Sequence, residues 1–114
     1  MSINSAMLAG ASGMRANAST LAAISDNIAN VNTVGFKRYE VRFEDLLKER
    51  LAEGGSPAEV EPVVVRDESG EPGQNNVTLV EETALLDKTK LMHDFATRRM
   101  GSYFGTLNKA IFGR

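Results

Sequence analysis

Few side chains in this chain of 114 residues are suited to chemistry, and their spacing does not bring them together as a catalytic site. His93 is the only histidine, which excludes a histidine-rich metal site and a histidine relay. Ser25 and Asp26 are neighbours without a general base nearby in the sequence. Glu81 and Glu82 are also adjacent, so on a helix their carboxylates point in different directions and do not form an acid/base pair. We interpret His93 as a solvated helix residue.

The remaining motifs do not indicate a ligand site. The glycines of EGGS and SGEPG lack the pattern of a phosphate-binding loop, and the pair Arg98–Arg99 is typical of a solvated or inter-subunit patch. The chain has no cysteine, which excludes disulfides and thiolate metal sites. Its formal net charge of −2 argues against general nucleic-acid binding. We therefore expect neither an enzyme nor a cofactor, and no nucleic-acid partner.

A long helix dominates the first part of the chain. Four apolar residues recur every seven positions, the spacing of a coiled-coil seam: Met7, Met14, Leu21 and Ile28. A second apolar row contains Ile3, Ile24 and Val31. The pattern predicts a helix over residues 3–31, which would be about 43 Å long.

The opposite face of this helix carries Ser, Thr, Asn, Ala and Gly where a solvated helix would carry Lys and Glu. Residues 1–36 contain only two charged side chains, Arg15 and Asp26. One interpretation is a poorly soluble helix with a thin polar side. The other, which we favour, is a helix packed by neighbours on several faces, because small side chains allow helices to approach closely.

The middle of the chain divides into a short regular element and an irregular segment. Residues 39–52 predict a short helix, with an extended start near Tyr39–Arg42 as the alternative. All three prolines fall in residues 53–75, together with six acidic residues against Arg66. Val63–Val65 favours a short strand, but one strand has no partner in sight. We therefore predict a flexible acidic loop, which either stays mobile or orders on a partner.

A second long helix closes the chain. Asn75 and Asn76 are candidate N-cap residues, and TLVE from Thr78 to Glu81 fits a capping box. One face is lined by Val77, Val80, Ala84, Leu91 and Phe95. Apolar spacing continues through Met100, Tyr103, Leu107 and Ile111. Gly113 is placed to end the helix.

These elements predict a mainly α fold, in which long N- and C-terminal helices pair as a coiled coil beside a short third element and an irregular middle loop. The expected divisions are residues 1–35 for the N-terminal helix and turn, 36–52 for the short helix or extended segment, 53–75 for the loop, and 76–114 for the C-terminal helix. The first and last divisions form one domain. Two helices share one interface, so apolar residues on their other faces favour an oligomer or polymer.

The segment ISDNIANVNTVGFKR, residues 24–38, resembles the N-terminal signature of the flagellar axial family, the rod and hook proteins. That signature is an N-N-I-A-N core followed by T-x-G-[FY], and Asp26 stands here in place of its first asparagine. The matching positions are Asn27, Ile28, Ala29, Asn30, Asn32, Thr33, Gly35 and Phe36. Physically, we expect Asn30 and Asn32 either to cap exposed carbonyls or to adopt left-handed backbone, Gly35 to turn the chain, and Phe36 to pin the departing segment against the helix pair.

The end of the chain, residues 74–114, is similar to the closing region of proximal rod proteins of the FlgB type. In that region an N-x-V segment opens a helix that runs to an A-I-x-G-type end. Val34 stands where proximal rod proteins often have proline, and NVNTVGFKR is closer in style to hook and distal-rod members. Another proximal or distal rod protein, or a hook-like protein, is therefore the alternative within the family.

The resemblance implies a structural subunit of the flagellar basal-body rod that self-assembles through its terminal helices into a torque-transmitting drive shaft. The expected assembly interface is Met7, Met14, Leu21, Ile28, Val80, Leu91, Phe95, Tyr103, Leu107 and Ile111. Its partners would be copies of itself and other rod proteins, with contact at the MS-ring and export-gate end and no membrane insertion. A periplasm-spanning rod implies flagellar export, which agrees with an N-terminus unlike a cleaved signal peptide. A secreted helical protein that grips one partner is the alternative from another class.

Overall fold

The computed structural model describes residues 3–113, which form two long helices, a short helix and a small sheet. In chain order the elements are α1 (Ile3–Ala29), β1 (Tyr39–Arg42), α2 (Glu44–Ala52), a 3-10 turn (Pro57–Glu59), β2 (Val63–Arg66) and α3 (Leu79–Phe112). The architecture is mainly helical, with the long terminal helices packed together, which confirms the predicted fold class.

The two long helices run antiparallel. Asn27 at the end of α1 contacts Glu82 at the start of α3, and Gly10 lies against Met100 much further along α3. The 34 residues of α3 span about 51 Å and the 27 residues of α1 about 40 Å, so the last turn of α3 extends beyond the start of α1. The molecule is a flat rod with extents of 60 × 31 × 14 Å.

The core along α1 is made of small side chains. The buried apolar residues of the described chain are Ala16, Ala23, Ile24 and Val60, and Ser12 is buried with them. Helix α1 contacts α3, β1 and the 3-10 turn, so it is packed on several sides, as we favoured from its small residues. Ile24, from the second apolar row, is the largest of the fully buried side chains.

A two-stranded antiparallel hairpin occupies the middle of the chain. Tyr39 pairs with Arg66 and Arg42 pairs with Val63, so the expectation that Val63–Val65 has no strand partner is wrong. The partner strand is β1, the extended segment near Tyr39–Arg42 that the sequence offered as the alternative to a helical start. Helix α2 begins after this strand, at Glu44. Twenty residues separate the two strands, so neither strand's local pattern reveals the pairing.

The ends of α3 follow one prediction and contradict another. Thr78 occupies the N-cap position, but its side chain makes no capping hydrogen bond, so the predicted TLVE capping box is wrong. The side chains of Asn75 and Asn76 bind other parts of the chain instead, as described below. Gly113 ends the helix in the left-handed conformation, with φ of 68°, and its N–H donates to the Lys109 carbonyl at 2.8 Å.

Candidate functional site: the corner cluster and the outer face of α3

The last turn of α1 and the segment that joins it to β1, together residues 26–38, are called the corner, and Asn27 is its buried anchor. Its side chain is 0% exposed. The Asn27 amide oxygen accepts the Tyr39 N–H at 2.7 Å, and its amide nitrogen donates to the Tyr39 carbonyl at 2.9 Å. Asn27 thus pairs with both backbone groups of Tyr39, as a neighbouring strand would, and fixes the start of the hairpin on α1.

Glu82 brings α3 to the same place. This carboxylate is only 1% exposed, and each of its oxygens has a partner. Asn27 Nδ2 donates to Glu82 Oε2 at 3.2 Å, and Arg38 Nε donates to Glu82 Oε1 at 2.6 Å. A buried charge is tolerated when it is paired and fully hydrogen-bonded, and both conditions hold here. One carboxylate therefore links α1, the hairpin and α3.

Arg38 and Asp67 extend this network toward the hairpin. Burial alone would lower the pKa of Arg38, but its hydrogen bonds and ion pairs with Glu82 and Asp67 outweigh burial and raise that pKa. Hydrogen bonds from Ser69, and then the 3.4 Å ion pair with Arg38, lower the pKa of Asp67. Both groups are therefore held in their charged forms.

Asn76 completes the corner cluster, which we define as Asn27, Arg38, Asp67, Asn76 and Glu82. Asn76 Oδ1 accepts the Arg38 N–H at 2.6 Å, and its Nδ2 donates to the Asp67 carbonyl at 2.6 Å. The amide therefore occupies backbone groups of both strand ends, in the way that Asn27 occupies those of Tyr39. A helix cap would have used the same side chain only for α3.

A second bridge crosses the corner through Asn75. Its Nδ2 donates to the carbonyls of Asn30 and Thr33, both at 2.7 Å. Asn30 itself donates to the Asp26 carbonyl at 2.8 Å, which satisfies a carbonyl at the end of α1, as expected for this residue. The turn after α1 is thus held by an asparagine that lies four positions before the start of α3.

Gly35 and Phe36 finish the corner. Gly35 has φ of 76°, a conformation that favours glycine, so it turns the chain as predicted. The Phe36 ring packs edge-on against Tyr39 with centroids 5.9 Å apart, and the Arg66 guanidinium lies 5.0 Å from the Phe36 centroid and 3.9 Å from that of Tyr39. These ring contacts of Phe36 join the corner to the hairpin.

The other signature positions lie toward the surface. Ile28 and Asn30 are half-buried, whereas Ala29, Asn32 and Thr33 are exposed. Thr33 nevertheless donates its hydroxyl to Asn30 Oδ1 at 3.0 Å. The signature therefore combines an anchor inside this chain with an exposed edge that is open to a neighbour.

The residues predicted for assembly divide by helix. Met7, Met14, Leu21 and Ile28 on α1 are half-buried, as are Tyr103 and Leu107 on α3. The remaining predicted residues of α3 are exposed, with Val80 at 78%, Leu91 at 72% and Phe95 at 68%, and Ile111 is also exposed. We define the outer face of α3 as Val80, Ala84, Leu91 and Phe95, because these lie on the side opposite Glu82 and Thr89, the two buried residues of the helix.

An open groove of about 1130 Å³ runs beside the outer face. Small residues of α1 such as Gly10, Gly13 and Asn17 line one side of it, and Met92 and Phe95 of α3 line another. Within residues 3–113, no three side chains are placed to hold a metal ion, and neither long helix contains a stretch apolar enough to cross a bilayer.

His93 differs from its predicted environment. The residue is half-buried, and its Nδ1 is buried with no hydrogen-bond partner among the described residues, so the solvated interpretation is wrong for that atom. His93 lies four residues after Thr89 and therefore on the side of α3 that packs on α1.

Sequence reasoning missed most of the corner cluster. Glu82 was considered only as half of an acid/base pair with Glu81, and Arg38, Asp67 and Ser12 were not singled out. One signal was present: Glu82, Thr89, Ala96 and Tyr103 are spaced seven apart, and the first two are the buried residues of α3. This row carries only one large apolar side chain, whereas the outer face carries several. Hydrophobic periodicity therefore predicted that the outer face, rather than this row, is the helix interface.

Comparisons with known proteins agree with the signature. A sequence profile described as "Flagella basal body rod protein" matches residues 7–37. The chain is similar to the flagellar hook protein FlgE of Caulobacter vibrioides, with 74% identity over 47 residues that cover 41% of this chain and 8% of that protein. It is 49% identical over 51 residues to the flagellar basal-body rod protein FlgG of the same organism, covering 45% of this chain and 20% of that protein.

A third relative, the flagellar basal-body rod protein FlgG of Bacillus subtilis, is 48% identical over 52 residues, covering 46% of this chain and 19% of that protein. The matched segment thus spans a fifth or less of each relative. The profile ends at residue 37, and the corner that it includes is the part of this chain where Asn27 and Gly35 have defined roles. Through this N-terminal region, the chain is similar to the flagellar rod and hook proteins, which are axial structural proteins.

Proposed function

We propose that the chain is a subunit of the flagellar basal-body rod, which self-assembles through its terminal helices into the helical drive shaft that transmits torque for motility. The observation that carries this proposal is the outer face of α3, where large apolar side chains are exposed. Burying a Leu or Phe side chain contributes about 1.5–3 kcal/mol, so these residues strongly favour association. Their partners in the proposal are further copies of the chain and other rod proteins.

The proposal includes a location and a route. The rod would span the periplasm, with this subunit contacting the MS-ring and export-gate end, and export would proceed without a cleaved signal peptide. Within the rod, a proximal position of the FlgB type is supported by the similarity of residues 74–114 to the closing region of such proteins. The extended shape of the helix pair suits an axial position.

A hook-like or distal-rod subunit is the second candidate. The observation that favours it is the N-terminal similarity to proteins named as hook protein FlgE and rod protein FlgG. Val34 also supports it, because proximal rod proteins often have proline at that position. Both candidates share an assembly through the terminal helices, and they differ in the place that the subunit takes along the axis.

Substitutions on the outer face test assembly. Leu91→Asp together with Phe95→Asp should abolish association, because each charge would be buried in the interface, while the single chain keeps its fold since both positions are exposed in it. Sedimentation velocity over a range of protein concentrations, with circular dichroism for helix content, measures both effects. Leu51→Asp is the matched control, since Leu51 is an exposed apolar residue of α2. Assembly unchanged by the double substitution would contradict the proposal.

The position along the axis is tested in cells. We expect the protein in basal bodies isolated from cells that are blocked before hook assembly, as detected by mass spectrometry of the purified particles. Its absence from those particles, together with its presence in complete hook–basal bodies, would favour the hook-like candidate instead.

A further inference from the structure

We propose that Glu82 fixes the register of α3 on α1 by matching Asn27, and that it acts as the C-terminal counterpart of the N-terminal signature. Glu82 lies outside residues 7–37, which the family profile matches. The inference rests on the proposed function, because the register of the helix pair places the outer face of α3 relative to the corner. It is nevertheless a property of the single chain.

The hydrogen-bond inventory of Asn27 explains why the match is specific. Its oxygen is used by the Tyr39 N–H, and its two N–H groups are used by the Tyr39 carbonyl and by Glu82 Oε2. An aspartate at position 27 would have no N–H to donate and would face Glu82 as a second carboxylate. Only a group that accepts hydrogen bonds fits beside this amide, and Glu82 supplies it.

The rest of the helix interface discriminates poorly between registers. The buried residues of α3 are Glu82 and Thr89, and the Thr89 hydroxyl donates to the Leu85 carbonyl of its own helix, so Glu82 is the buried side chain of α3 that hydrogen-bonds to α1. A slip of one heptad would move α3 by about 10.5 Å and would bring Thr89 to the level now held by Glu82. In the slipped register the buried carboxylate would lose Asn27. A single buried polar match is a known way to set the register of paired helices.

Arg38 couples the register of α3 on α1 to the position of the hairpin. Its Nε holds Glu82 Oε1, and its guanidinium also reaches Asp67, which follows β2. The backbone N–H of Arg38 is held by Asn76, just before α3. The position of Glu82 along α1 therefore sets where the hairpin sits relative to α3.

Cysteine cross-linking measures the register directly, because the native chain contains no cysteine. The variant Gly10→Cys with Met100→Cys reports the native register, since a Cβ at Gly10 would lie 2.9 Å from Met100 Sδ. Gly10→Cys with His93→Cys, or with Leu107→Cys, reports a slip of one heptad. All measurements use dilute monomer under mild oxidation, so failure of assembly would not affect the readout.

Glu82→Leu in these backgrounds should raise the ratio of slipped to native disulfide by roughly five- to thirtyfold, because no buried carboxylate then needs Asn27. Glu81→Leu is the matched control and should leave the ratio unchanged, since Glu81 is exposed. An unchanged ratio in the Glu82→Leu variant would overturn the proposal.

A substitution that keeps an acceptor at position 82 gives a second test. In Glu82→Gln the side-chain oxygen still accepts from Asn27 Nδ2, whereas in Glu82→Leu no acceptor remains. Glu82→Gln should therefore form more native-register disulfide than Glu82→Leu. A Glu82→Gln variant no better than Glu82→Leu would show that the acceptor for Asn27 does not set the register.

Discussion

The two ends of the helix pair are built in opposite ways. At the corner end, Asn27, Arg38 and Glu82 are buried or largely buried, and their hydrogen bonds connect α1, the hairpin and α3. At the far end, α3 carries exposed Phe104, Ile111 and Phe112, together with open glycines, and its last turn lies beyond α1. The corner end satisfies its polar groups within one chain, whereas the far end leaves apolar groups in water.

This difference shows which end is stabilised by contacts within one chain and which end favours contact with a partner. Buried polar groups demand defined geometry, so the corner is specified by contacts of the chain with itself. Exposed apolar groups gain free energy from any complementary surface, so the far end and the outer face of α3 are suited to neighbouring subunits. A polymer subunit needs both, because its shape must be fixed before repeated copies can fit.

The largest expected effect is at the corner end. Arg38→Met removes the cationic partner of Glu82 and leaves a carboxylate that is 1% exposed, so the free energy of unfolding should fall by about 3 kcal/mol or more. Urea unfolding followed by circular dichroism measures the loss. Adding Glu82→Gln should recover part of it, because the buried group is then neutral.

Arg15→Met is the matched control for Arg38→Met. Arg15 also forms an ion pair from one part of the chain to another, at 3.2 Å from Glu61, but both side chains are largely exposed. Its loss should change the unfolding free energy by less than about 1 kcal/mol. Equal effects of the two substitutions would mean that the corner cluster is no more important than a surface pair.

A smaller effect is expected at the far end. Gly105→Ala should stabilise the last turns of α3 by about 1 kcal/mol, because a Cβ there meets no atom within 4 Å and alanine favours helix. Gly10→Ala should gain less, since its Cβ would lie 2.9 Å from Met100 Sδ. Amide hydrogen exchange across residues 101–112 checks this difference. Equal gains at the two glycines would contradict the contrast between a packed and an open position.

The smallest effect is the pH dependence of the corner cluster. The pKa of Asp67 is lowered in the folded chain, so its contribution to stability is present above its unfolded pKa, about 3.9, and is lost as pH falls through the lower folded value. Asp67→Asn should therefore reduce stability near neutral pH, by less than about 1 kcal/mol, and the difference should vanish in acid. Glu68→Gln, which removes a negative charge from an exposed neighbour, is the control and should reduce stability near neutral pH by less than Asp67→Asn does.

Local patterns predicted those parts of the fold that depend on neighbouring residues. The heptad spacing from Met7 to Ile28 indicated α1, and Gly113 marked the end of α3. The β1–β2 pairing was missed because Val63 meets Arg42 across a connection of twenty residues. Asn75 and Asn76 do not cap α3 because their side chains bind the corner, and Thr78 stands at the N-cap without a side-chain hydrogen bond. Long-range hydrogen bonds decided both cases.

The sequence by itself determined the two long helices, the corner with its glycine turn and the family resemblance, because periodicity and turn chemistry act over a few residues. The tertiary structure alone decided which face of α3 packs on α1. Hydrophobicity favoured the face of Leu91 and Phe95, but the chain buries the face of Glu82 and Thr89. The physical reason is that a buried polar match with Asn27, together with small side chains that permit close approach, holds the helices, and the more apolar face is left for association.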